Sequence, residues 1–277
     1  GWFNLMFIST SNLSKVATVT ETPESLTQEI SVITDGDYSS TYTATLSGSI
    51  SIKFTFATPQ DIDYIAFGGT NISRKDRLVI SSTNPEPLFD SNNEALFDSN
   101  GEQLFALSTG GIDDTQLSLD ESRVIVYKTD LKQTIEIEIQ VYGSGQIKIA
   151  EIAMGKLYEV PRGEQSGYNR GWAVPNIRAR SATGLDGAPV NFVYETGTQK
   201  ATLTVPNNLM SDYEAENGWR NMLKYTSRNT FYVIEDDDKF HSYAGFSTTG
   251  MSTKAHSQTR ALGVSQFTFN TFSGTVI

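Results

Sequence analysis

The sequence contains no cysteine and only two histidines, His241 and His256, in 277 residues. Without thiols there is no disulfide framework, no thiolate metal site and no cysteine nucleophile. Each histidine sits among polar residues with no spacing that suits a ligand pair, so both read as incidental. Positive charge is also scarce. The 21 Lys and Arg stand against 32 Asp and Glu, a formal net charge of −11. Nucleic acid needs a cationic surface that displaces counterions, and an anionic bilayer repels an acidic one, so neither is an expected partner. No apolar run approaches the roughly 20 residues of a spanning helix. The start, Gly1 to Ile8, is apolar but short, lacks a basic flank and a small-residue cleavage site, and does not read as a signal peptide. Catalytic motifs are missing too: there is no Gly-x-Ser-x-Gly elbow, phosphate-cradling glycine loop or His-Glu-x-x-His. Asp236-Asp237-Asp238 reads as a solvated hairpin tip. The expectation is a protein that is not an enzyme.

What is present is strand. Hydrophobic residues make up 38% and charged residues 19%, enough apolar material for real cores. Ser, Thr, Asn and Gly dominate the remainder, as in many-turned β proteins. Ile50, Ile52, Phe54 and Phe56 alternate with Ser51, Lys53 and Thr55, the period of a half-buried strand. Ile135, Ile137, Ile139 and Val141 alternate with Glu136, Glu138 and Gln140, and Gly143-Ser144-Gly145 turns the chain into a second strand from Gln146 to Ile152. Large side chains at both parities of Trp2 to Ile8 predict a strand covered on both faces, either in the chain's own core or as an arm on a neighbouring subunit. A small tandem repeat, Leu88-Phe89-Asp90-Ser91-Asn92-Asn93-Glu94 and Leu96-Phe97-Asp98-Ser99-Asn100-Gly101-Glu102, predicts a β-meander inserted over 86–107.

A boundary is expected near Val160-Pro161-Arg162-Gly163, which divides the chain into 1–159 and 160–277. The second part carries one convincing helix: Ser211 as N-cap, Glu214 completing a capping box, and Ala215, Trp219, Met222 and Leu223 on one face. Gly218 inside it costs about 1 kcal/mol relative to Ala. The apolar parity slip at Ser265-Gln266 predicts a β-bulge in the last strand. The fold class is therefore mainly β: an N-terminal β-sandwich jelly roll, then a small β-barrel or sandwich with one packed α-helix.

One constellation suggests binding chemistry. Glu151 shares the inward parity of Ile147 and Ile149, and a buried carboxylate is costly unless paired or metal-bound. Asp35-Gly36-Asp37 places two short acids around a glycine, which suits a hard cation such as Ca²⁺. The alternative is a plain turn, with Glu151 turned outward by a bulge.

Asp35-Gly36-Asp37, Thr41-Tyr42, the strand that follows and Ala150-Glu151-Ile152 resemble the discoidin (galactose-binding-like) jelly rolls over roughly residues 12–158. That resemblance implies a structural Ca²⁺ held by Asp35, Asp37, Thr41 and Glu151, and carbohydrate binding through loop residues it does not assign. Tyr42 stands where the family usually has Trp. Tyr168-Asn169-Arg170-Gly171-Trp172, the capped helix and the hairpin at Asp236-Asp237-Asp238 resemble the barrel-plus-helix modules of bacteriophage distal-tail and hub proteins. This second resemblance implies a virion structural protein of a phage tail tip, made in the host bacterial cytoplasm. Its partners would be other tail proteins, its own copies in a trimeric or hexameric ring, and host cell-surface glycan. The alternative is a free, lectin-like carbohydrate-binding protein.

Overall fold

The computed structural model describes residues 5–23, 29–37, 40–73, 75–87, 90–91, 94–97, 99, 105–114, 124–161, 176–183, 189–196, 198–206, 211, 214–235, 242–246 and 264–272. Its strands are β1 (Met6–Ser9), β2 (Thr18–Thr22), β3 (Tyr42–Thr70), β4 (Arg77–Pro87), β5 (Phe105–Asp114), β6 (Val124–Gly155) and β7 (Leu157–Glu159). They continue with β8 (Asn176–Thr183), β9 (Pro189–Thr196), β10 (Thr198–Pro206), β11 (Phe231–Glu235), β12 (Ser242–Phe246) and β13 (Val264–Phe272). Among the described residues one α-helix, α1 (Arg220–Thr226), lies between β10 and β11. The chain is mainly β.

Two compact units divide it. Asn12–Ser122 with Tyr127–Lys156 form one, and Gly1–Ser11, Arg123–Val126 and Leu157–Ile277 the other. The boundary expected at residue 160 falls inside the second unit, which also takes the first eleven residues. The reason is hydrogen bonding: β1 pairs antiparallel with both β7 and β11. The jelly-roll unit is thus an insertion in sequence between β1 and β7.

The jelly-roll unit is built on the sheet β2-β3-β6-β4-β5. β3 and β6 run for 29 and 32 residues. At about 3.3 Å per residue each would be roughly 100 Å long if straight, several times the width of a domain, so both ribbons must turn back. Gly145, with φ of 96°, supplies the positive φ that the turn foreseen at Gly143 to Gly145 requires. Ile50, Ile52, Phe54 and Phe56 are all buried, as their alternation predicts. In the stretch of β6 from Thr134 to Val141 the buried residues are Thr134, Ile137, Ile139 and Val141, while Ile135 is half-buried. Gln133, just before this stretch, has φ of 51°. The repeat begins as a turn, with Asp90 Oδ1 accepting from the Glu94 amide at 2.9 Å and the Asp90 amide donating to Glu94 O at 2.8 Å.

The second unit carries the sheet β10-β13-β12-β11-β1-β7 and the separate hairpin β8-β9. All four residues of β1 are buried, as large side chains at both parities imply. Met6 and Ile8 join Leu203, Val205, Phe231, Val233, Phe267 and Phe269 in one core, which Trp219, Met222 and Leu223 close from the helix. The Glu214 amide donates to Ser211 Oγ at 3.1 Å, so the N-cap read from sequence is formed. A wide π-type turn, Ala215–Trp219, then leads into α1.

The bulge expected at Ser265-Gln266 is absent. Pairing with β10 runs without interruption from Pro206↔Val264 to Thr198↔Phe272. Val264 is the first paired residue, so the parity slip lies at the start of the ladder and no extra residue is needed inside it.

Candidate functional site

The expected cation site maps to the jelly-roll unit and comes together only in part. Glu151 points inward and is 2% exposed, so no bulge turns it out. A Cβ placed on Gly36 would lie 3.7 Å from Glu151 Oε1, although the two residues come from opposite ends of the unit's sequence. Gly36 has φ of 79°, which favours glycine at this loop. The acidic loop and the last strand of the jelly roll therefore meet.

The loop's own acids do something else. Asp35 and Asp37 are exposed. Asp35 Oδ1 accepts from the Asp37 amide at 2.6 Å and its Oδ2 accepts from Ser40 Oγ at 2.8 Å. The Asp37 carbonyl accepts from Ser40 N at 3.1 Å and from Ser40 Oγ at 3.0 Å. Asp35 thus closes its own turn. Thr41 is half-buried just before β3. Tyr42 is a core residue, fully buried, whose hydroxyl donates to Glu21 Oε2. Burial, and next the Glu21 carboxylate, hold that phenol well above its ordinary range.

Two residues that sequence reading missed stand at this junction. Asn12 Nδ2 donates to Glu151 Oε1 at 3.1 Å. Lys15 Nζ lies 3.0 Å from the point where a Gly36 Cβ would stand. The segment is fixed locally: Asn12 Oδ1 accepts from Ser14 N at 3.1 Å and Ser14 Oγ at 2.6 Å, and the Leu13 amide donates to Met154 O at 2.7 Å. Asn12 and Ser14 have the spacing of an Asx turn, but nothing local in the sequence announces where Lys15 would reach.

The set fits calcium poorly. Ca²⁺ takes six to eight oxygen ligands. Here both Asp35 oxygens and the Asn12 carbonyl oxygen already accept hydrogen bonds, and an ammonium stands against the loop. Among the described residues, no group of three acidic, His or Cys side chains could hold a metal ion.

A second feature of the unit is a cavity of about 160 Å³ with an apolar wall of Ile65, Ile80, Ile112 and Leu131 and a rim that includes Lys128 and Asp130. Thr129 Oγ1, also at the rim, donates to Ile62 O at 2.7 Å, and Asp130 pairs with Lys132 at 2.8 Å. An apolar wall with a polar rim can take one face of a small polyhydroxylated ring. Asp76, by contrast, is a buried carboxylate outside the lining of this cavity. Its Oδ2 accepts from Ser73 N at 2.9 Å, and a Cβ on Gly143 would come within 2.4 Å of its Oδ1.

His241, His256, Tyr168 to Trp172 and Asp236 to Asp238 lie outside the described residues. Of the three segments carrying the tail-protein resemblance, only the capped helix is described. Among the described residues, no helix is long and apolar enough to cross a membrane.

No family model matches the chain, and no curated protein matches it. Among solved structures it is similar to a pectin-binding carbohydrate-binding module, at 17% identity and a TM-score of 0.33, over 51% of this chain and 91% of that one. A fucose-binding module of Streptococcus pneumoniae matches at 13% identity and a TM-score of 0.35, over 53% of this chain and 98% of its own. A chitosan-binding module from a chitosanase/glucanase of Paenibacillus sp. matches at 14% identity and a TM-score of 0.35, over 53% and 99%. Scores of this size do not establish a common fold, and the architecture above rests on the strand pairing itself.

Proposed function

We propose that this chain is a non-catalytic carbohydrate-binding protein whose jelly-roll unit is the binding part. The observation that carries the reading is the meeting of the Asp35–Asp37 loop with Glu151. The discoidin-like resemblance requires that junction, and local sequence patterns alone do not dictate it. The cavity walled by Ile65, Ile80, Ile112 and Leu131 is the place to look for a sugar ring.

Assembly in a phage tail tip, as a ring in the virion, is the second reading, and two observations weaken it. The N-terminal strand and the helix's apolar stripe could have faced neighbouring subunits. Both are buried in the chain's own core.

A glycan array probed with the full chain tests the first reading, followed by calorimetric titration of any hit. Saturable binding to a defined glycan class, lost in Ile112→Trp at the half-buried cavity wall, is the expected result. No binding to any glycan would overturn it, and a closed ring of subunits by light scattering would move weight to the tail.

A further inference from the structure

We infer that the cavity lined from β3, β4, β5 and β6 recognises a methyl group carried by a sugar ring, as a 6-deoxy or an N-acetyl substituent. This rests on the carbohydrate-binding reading above and names what the ring must carry.

The lining decides the chemistry. Ile80 and Ile112 are directly opposed across the β4–β5 ladder, so their side chains leave the same face of the sheet. Ile65 and Ile80 are buried, while Ile112 and Leu131 are half-buried, which gives an aliphatic floor with walls that open to solvent. Gly111 brings backbone in place of a side chain. A Cβ there would stand 2.7 Å from Ile80 O, so glycine lets β5 run this close to β4. Among the described residues no aromatic ring lines the cavity, so the gain on binding has to come from aliphatic contact.

A hydroxyl group is poorly served on this floor. Of the two hydroxyl side chains in the lining, Ser82 is 1% exposed and Thr129 Oγ1 already donates to Ile62 O at 2.7 Å. A hydroxymethyl group pushed against Ile65 and Ile80 would give up water for aliphatic carbon, a cost that a methyl group does not have.

Size and charge narrow the ligand further. The cavity holds about 160 Å³, below the roughly 300–1,000 Å³ of pockets that enclose a drug-sized ligand, so it takes one substituent and the ring edge that bears it. The rim carries one charge of each sign, Lys128 and Asp130, and Asp130 pairs with Lys132 at 2.8 Å. That balance suits a neutral ring whose hydroxyls stay at the mouth.

Calorimetric titration of the full chain tests this with three matched pairs: L-fucose against L-galactose, L-rhamnose against L-mannose, and N-acetylglucosamine against glucose. In at least one pair the methyl-bearing sugar is expected to bind about tenfold tighter or more, the scale of one apolar group in a hydrophobic pocket. The pair that responds separates the 6-deoxy from the N-acetyl source. The preference is expected to disappear in Ile112→Thr and, on a different strand, in Leu131→Asn, both half-buried positions whose variants should still fold. Equal affinities within every pair would overturn the inference and leave carbohydrate binding intact. So would a preference that survives both variants. Absence of binding to every glycan, here and on the array, would overturn both readings together.

Discussion

A Cβ at residue 218 would stand 2.7 Å from Tyr158 Cε2, on a ring already packed edge-on against Trp219 with centroids 6.4 Å apart. By propensity alone Gly218→Ala should stabilise the helix by about 1 kcal/mol. The clash decides the sign, because forcing an extra carbon into a packed site costs about 1–3 kcal/mol. The variant should melt below the wild type, and a higher midpoint would show that the Tyr158 ring can move aside. Tyr127 makes a pH-dependent case. Its hydroxyl donates to the buried Asp114 at 2.9 Å, and burial, then the Asp114 charge, raise its pKa far above the ordinary 10.0. A raised folded pKa favours the protonated phenol in the native state. That contribution is full below pH 10 and is lost as pH climbs toward the folded value. Tyr42 and Tyr158 are shifted the same way, so stability should hold to about pH 10 and fall above it. Tyr127→Phe should cost about 1–2 kcal/mol at neutral pH and make the alkaline fall shallower, as chemical denaturation at several pH values would show.

The elements differ in how far the sequence announces them. Ile50 to Phe56, Ile137 to Val141 and the Ser211 cap are legible because alternation and capping are local chemistry. Glu151 is legible for the same reason: parity with Ile147 and Ile149 puts it inside. Lys15 is not, since its reach to Gly36 depends on pairing between segments far apart in sequence. Gly218 reads as a cost until Tyr158 is seen against it, and the expected bulge disappears once the ladder is known to begin at Val264. β1 is the sharpest example. Its two-sided burial is written in its residues, but its partners β7 and β11 are not. Ile8 is fully buried, pairs with Val233 and Tyr158, and belongs to the core closed by Met222 and Leu223. Ile8→Ala should therefore cost about 2–5 kcal/mol, the range for emptying a core position. A loss below 1 kcal/mol in urea unfolding would mean that β1 adds little to the sheet.

At the scale of the whole chain, β1 is the first strand in sequence yet hydrogen-bonds into the unit built mainly from Leu157–Ile277. Each unit carries its own buried core, so the full chain need not unfold in one step, and its calorimetric enthalpy should exceed the van't Hoff value. Removing residues 1–11 separates the contributions. It takes Met6 and Ile8 from one core and unpairs β7 from β11's sheet, while the strands β2 to β6 keep all their pairing partners. The truncated chain should lose or strongly lower one thermal transition and retain the other near its original midpoint. If the jelly-roll unit is the glycan-binding part, binding should survive with the retained transition. Loss of both transitions together would mean that the insertion depends on the unit into which it is spliced, and binding would then have to be sought in the chain as a whole.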